Sequence, residues 1–173
     1  MSCCYYCDQV NYRAGSGQLI IVNILPTQVY LKRYKVVETD NCLKCNEETD
    51  SIIHCLWECS EIVGFLNNIL KMVRKWTSQT QDISMVDYLF GMKGVDFEGI
   101  NHFLIEVKLF IFYSWKETDS EEQRIDRFLR GVRRVILTEK NICKNPAKYD
   151  QFVLKWGKMT DVYDFRGPDV LPI

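Results

Sequence analysis

Apolar residues recur along most of this chain at helical rather than strand spacing. The fit is closest from residue 60 onward. Ile62, Phe65, Leu66, Ile69, Leu70 and Val73 follow one another at alternating three- and one-residue steps, which gathers them on one helix face. Ser60 ahead of them suits an N-cap, and Glu61 suits the positive end of the helix dipole. Residues 82–91 predict a short helix that stops at Phe90-Gly91. Residues 100–115 are apolar nearly all round, with Phe103, Leu104, Val107, Phe110, Ile111 and Trp115, as in a helix central to a bundle. Ser120 then caps a long amphipathic helix to about Glu139, whose apolar face carries Ile125, Phe128, Leu129, Val132 and Ile136. A last helix starts near Asn145-Pro146 and runs to Trp156-Gly157.

The first third of the chain is less regular. Leu19-Ile20-Ile21-Val22 reads as a short buried strand. Pro26 and Thr27 suit a helix start, Thr27 as an early-turn residue, and Thr39-Asp40-Asn41 ends that helix. The expected fold is mainly α: a helical bundle with a small zinc-stapled CCHC module near the N-terminus. The organisation expected is a Cys-rich segment and short strand over 1–23, the metal module over 24–66, a helical C-terminal domain over 67–160 and a coil tail over 161–173.

At 173 residues, 47% apolar and 26% charged, the chain is long enough for a real core and too short for a complete polymerase. No apolar run approaches the length of a membrane span, and the first residues lack the basic and apolar regions of a secretory signal. The expectation is an intracellular protein of nucleus or cytoplasm. Eight cysteines in a reducing compartment are metal ligands or free thiols rather than disulfides. A net charge of -1 argues against a free-standing nucleic-acid-binding domain, so any such contact needs a local patch. No Gly-rich phosphate loop occurs, and His102 has no nucleophile or carboxylate partner apparent in the sequence. Neither catalysis nor a small-molecule substrate is expected.

The strongest chemical signal is Cys42-x2-Cys45-x8-His54-x4-Cys59. Two thiolates two residues apart converge on one metal from a tight turn, and an imidazole and a third thiolate complete a tetrahedron. Four protein ligands leave no open position, so a zinc ion here is structural. The competing reading is buried free thiols beside a core histidine. Cys55 is expected to be buried and not a ligand, although it could exchange with Cys59. Cys3, Cys4 and Cys7 offer half a second site with no partner pair nearby, and Cys143 reads as a buried apolar residue.

The neighbourhood of these ligands narrows the expectation. The run Ile24-Leu25-Pro26-Thr27, Leu31-x-Arg33, Asp40-x-Cys42-x-x-Cys45, Ile53-His54-x-Leu56-Trp57-x-Cys59 and Phe65 resembles the zinc-binding region that follows the polymerase domain in non-LTR (LINE-type) retrotransposon reverse transcriptases. The downstream segments Tyr88-Leu89-Phe90-Gly91, Ile100-Asn101-x-Phe103-Leu104-Ile105, Lys108-x-Phe110-Ile111-Phe112 and Phe152-x-x-Lys155-Trp156 resemble the helical tail of the same family, so the resemblance covers residues 24–157. It departs from the whole family protein in lacking the adjacent aspartates that hold the polymerase metal ions. What the resemblance implies is a non-catalytic accessory region that assists RNA and DNA binding in target-primed reverse transcription, together with a polymerase domain.

Two basic clusters are candidates for such contacts. Arg127, Arg130 and Arg134, with Arg124 and Arg133 nearby, lie opposite the apolar face of the helix after Ser120, and guanidinium forks match phosphate geometry. The same stripe also reads as an ordinary solvated face, and Asp126 borders it. Lys32, Arg33 and Lys35 interleave with Tyr30 and Tyr34, an arrangement suited to phosphates and unpaired bases or to packing under the zinc loop. Trp57 is expected to pack the zinc loop against the following helix. The alternative function is a zinc-stapled helical protein-interaction module that binds no nucleic acid.

Overall fold

The structure is a computed structural model that describes residues 25–78, 82–116, 118–143 and 145–162. The expected strand at 19–22, Cys3, Cys4 and Cys7, and most of the expected tail lie outside these residues.

The described chain is mainly helical. Helix α1 spans Gln28–Arg33, a π-helical turn spans His54–Glu58, and α2 spans Ser60–Thr77. Then follow α3 (Met85–Phe90), a 3-10 turn (Val95–Phe97), α4 (Glu98–Tyr113), α5 (Glu121–Ile142) and α6 (Pro146–Trp156). The helix ends obey local chemistry. Ser84 and Ser120 accept the backbone N–H three residues on, and Ser120 forms a full capping box with Gln123. Asn145 caps α6 with Pro146 in its first turn.

Two starts and one end differ from the sequence reading. Thr27 is the N-cap of α1 rather than an early-turn residue. Cys59 is the N-cap of α2, and Ser60 is its first residue. Helix α1 stops at Arg33, well before Thr39, because Lys35 turns left-handed at φ 57° and Val36 N–H donates to Leu31 O at 2.9 Å.

Helix α4 is central. It packs against α5, α6, the π turn and the 3-10 turn, and buries Ile100, Phe103, Leu104, Val107, Phe110 and Ile111. Phe65 of α2 meets Phe110, Trp115 and Phe128 with centroids 5.3, 5.8 and 5.7 Å apart. Each such ring removes enough apolar surface from water to contribute about 2 kcal/mol, beyond which edge-on aromatic pairs add roughly 1 kcal/mol. Helix α6 crosses the start of α4 closely at Gly99, where a Cβ would stand 1.8 Å from Lys155 O. Buried Trp156 closes that side and donates from Nε1 to Glu139 Oε2 at 2.8 Å. The buried residues form one cluster that includes Cys42, Cys55, Leu56 and Cys59 as well as the helices.

Candidate metal centre

The segment between α1 and α2 is folded by backbone bonds before any ligand is considered. Asn41 and Thr49 form an antiparallel bridge. Cys42 N–H donates to Glu48 O, and Asp50 N–H to Asp40 O, both at 2.7 Å. Inside this loop Asn46 N–H returns to Cys42 O at 2.8 Å, and Asn46 itself is left-handed at φ 57°. Asparagine tolerates that conformation better than most residues with a Cβ. It turns the chain directly after the second cysteine.

The other two ligands arrive by a different device. In an α-helix at about 100° per residue, His54 and Cys59 would point about 140° apart. The chain instead makes a π turn, with Cys59 N–H donating to His54 O at 2.9 Å, which returns position i+5 to the face of position i. Ser51 Oγ accepts from His54 N at 3.0 Å and fixes the start of the turn.

The ligand atoms of Cys42, Cys45, His54 and Cys59 consequently all lie within 4.8 Å of one another. Cys42 Sγ and Cys59 Sγ are 3.8 Å apart, and Cys45 Sγ and His54 Nε2 are 3.4 Å apart. Cys42, His54 and Cys59 are buried and Cys45 is half-buried. Three thiols and one imidazole form a soft donor set, and this cluster can hold a metal ion. The thiols differ in acidity. Burial raises Cys45, but the backbone amides of Glu47 and Glu48 and the His54 ring outweigh it and bring the thiol down to about 7. Burial pushes Cys59 up to about 12, with the Glu61 amide acting in the opposite direction. A cation among the four favours the thiolate form of all three.

Cys55 stands outside the four, buried, with Lys44 Nζ donating to its sulfur at 3.3 Å. Cys143 is half-buried against the core. Trp57 is packed against the core cluster. It meets Tyr88 of α3 at 5.4 Å between centroids.

The basic clusters divide. Arg127 does not stand in solvent: it is half-buried, pairs with Asp119, donates to Ser114 O at 2.5 Å and covers the Phe110 ring at 4.8 Å. Its role in holding the α4–α5 connection corrects the expectation of an exposed stripe. Arg124 lies over Trp115 at 4.2 Å and Arg133 donates to Val162 O at 2.8 Å. Arg130 is exposed and pairs with Asp126 at 3.1 Å, and Arg134 is exposed. Lys32 is paired with Asp40 at 2.8 Å, while Arg33 and Lys35 are exposed.

Asn101 and Lys108, part of the downstream motif, both act on the backbone around the end of α3. Asn101 accepts from Met92 N at 2.7 Å and donates to Met92 O at 2.8 Å. Lys108 is buried and donates to Tyr88 O and Leu89 O at 3.1 and 2.9 Å, capping the end of α3. Burial pulls its pKa down to about 8. A lysine between Val107 and Leu109, in a largely apolar run, is the signal in the sequence.

No helix among the described residues is long and apolar enough to cross a membrane. No protein-family model, curated protein or solved structure matches the chain.

Proposed function

We propose that this chain is a zinc-stapled, non-catalytic accessory region of a non-LTR retrotransposon reverse transcriptase, acting inside the cell and gripping RNA or DNA beside a polymerase domain. The observation that carries the reading is the convergence of Cys42, Cys45, His54 and Cys59 in the order and sequence context of that family's metal module. Zinc suits the geometry. Ligands about 2.3 Å from zinc at tetrahedral angles are about 3.8 Å apart for two sulfurs, and about 3.6 Å apart for a sulfur and a nitrogen. The observed separations are 3.8 and 3.4 Å. A closed set of four ligands serves folding rather than water activation. The downstream motif also has a physical unity that supports the reading: Lys108 holds the Tyr88 and Leu89 carbonyls, and Asn101 holds the Met92 backbone that follows that segment.

The reading is tested by metal content and by electrophoretic mobility shift on RNA and duplex DNA across salt. One zinc per chain, lost in Cys45→Ser, and binding that weakens steeply with salt are the expected results. A metal-free protein purified without chelators removes the zinc centre. A zinc-loaded chain that binds neither nucleic acid at low salt leaves the protein-interaction module. The engagement of Arg127 and the Arg130–Asp126 pair favour that second reading, because they neutralise much of the α5 stripe.

A further inference from the structure

Helix α1 is the least buried helix next to the metal centre, and none of its residues is fully buried. It is nevertheless firmly mounted. Buried Asp50 accepts from Gln28 N at 2.8 Å, and Lys32 reaches Asp40 at 2.8 Å, so both ends of the helix are tied to the metal-binding loop. The outward side carries Tyr30 and Tyr34, 45% and 61% exposed, with ring centroids 4.8 Å apart. Arg33 and Lys35, both exposed, bracket Tyr34 in sequence. Lys35 occupies a left-handed backbone position, where glycine would be less strained. The turn thus carries a cation at a position whose backbone does not favour one. Asp40 neutralises Lys32, and Glu38, Glu47 and Glu48 are further exposed acids on the same loop.

We infer that this side of α1 is a stacking platform for single-stranded nucleic acid. Tyr34, backed by Tyr30, takes the face of an unpaired base, and Arg33 and Lys35 take the flanking phosphates. A duplex buries its base faces in its own stack, so an aromatic platform of this kind favours unpaired strands, while the cations alone would not distinguish them. The inference rests on the nucleic-acid reading above and adds to it the strand state and the residues that select it.

The test is fluorescence anisotropy of the zinc-loaded full chain with a labelled oligouridylate of about twelve nucleotides and with a duplex of equal length. Tyr34→Ala should weaken the single strand about tenfold and leave the duplex unchanged. Tyr34→Phe should retain the single-strand affinity, since the ring and not the hydroxyl stacks. Arg33→Glu with Lys35→Glu should weaken both ligands and flatten the salt dependence. A parent chain that binds oligouridylate, with an unchanged single-strand to duplex ratio in Tyr34→Ala, overturns the platform and leaves the nucleic-acid reading standing. A parent chain that binds neither ligand overturns both. A Tyr34→Ala variant that melts earlier than the parent and keeps its affinity places the tyrosines inside the fold and also overturns the platform.

Discussion

Single residues decide this structure where a backbone or charge rule is bent. Lys108 is the clearest case. Its ammonium is buried and donates to two backbone carbonyls, and burial brings its pKa from 10.5 to about 8. Between about pH 8 and 10.5 the folded chain has released a proton that the unfolded chain still holds. Stability therefore rises with pH over that window, by up to about 1.4 kcal/mol per unit. Below pH 8 both states carry the proton, and the cost of the buried charge is fully present. Lys108→Met should remove this rise; near neutral pH its relief of the buried charge opposes the cost, about 1–3 kcal/mol, of leaving the Tyr88 and Leu89 carbonyls without their donor, so the variant should lose most against the parent at high pH. Denaturant unfolding of parent and variant at several pH values checks both effects. Asn46 is a second case, because its left-handed conformation makes the turn after Cys45. Asn46→Val should cost about 1–2 kcal/mol of backbone strain and weaken metal retention. Asn46→Gly should keep both, as read by thermal melting and competition with a chelator.

Elements with a long apolar period were legible in the sequence; those set by a single geometric demand were not. The apolar faces of α2 and α5 repeat over several turns, and Ser120 and Asn145 cap α5 and α6, so existence and approximate limits follow from spacing and cap chemistry. The π turn has no such period. It exists where one extra residue between His54 and Cys59 must be absorbed for both to face one point, and hydrophobic spacing carries no trace of that. The cap of α2 lies one residue before the expected Ser60 for the same reason, since cysteine is not a usual N-cap and this one belongs to the cluster that can hold a metal ion. The π turn also carries Trp57, which lies between two ligands in sequence and against Tyr88 in space. Tyr88 in turn lies 5.7 Å from Lys108 Nζ. Metal removal should therefore be felt at α3. Chelation is expected to red-shift tryptophan emission and to speed amide exchange in Met85–Phe90 as well as in the loop that holds the cysteines. In Trp57→Phe the emission change should fall and the exchange change should remain. Exchange confined to the loop would show that the metal module and α3 are uncoupled.

On the scale of the whole molecule, charge placement separates scaffold from surface. A helical wheel puts Arg127, Arg130 and Arg134 on one outward stripe, because it sees only α5. It does not see the connection from Ser114 to Ser120, which folds back so that Asp119 and Ser114 O meet Arg127 beside the Phe110 ring. Long-range pairing of that kind depends on the path of the chain between helices, and local spacing contains no information about it. The consequence is a prediction in two parts. Arg127→Glu should destabilise the fold by about 2–4 kcal/mol, since it leaves Asp119 facing a like charge and strips the cation from Phe110. Arg134→Glu should change stability by less than about 0.5 kcal/mol, as an exposed substitution. Thermal or urea unfolding of the two variants distinguishes them directly. Equal, small effects would return Arg127 to the surface and restore the α5 stripe as a phosphate-binding face. A large effect at Arg127 alone leaves Arg33 and Lys35, at the end of the helix that Lys32–Asp40 and Gln28–Asp50 tie to the cysteine loop, as the exposed cations for such a contact.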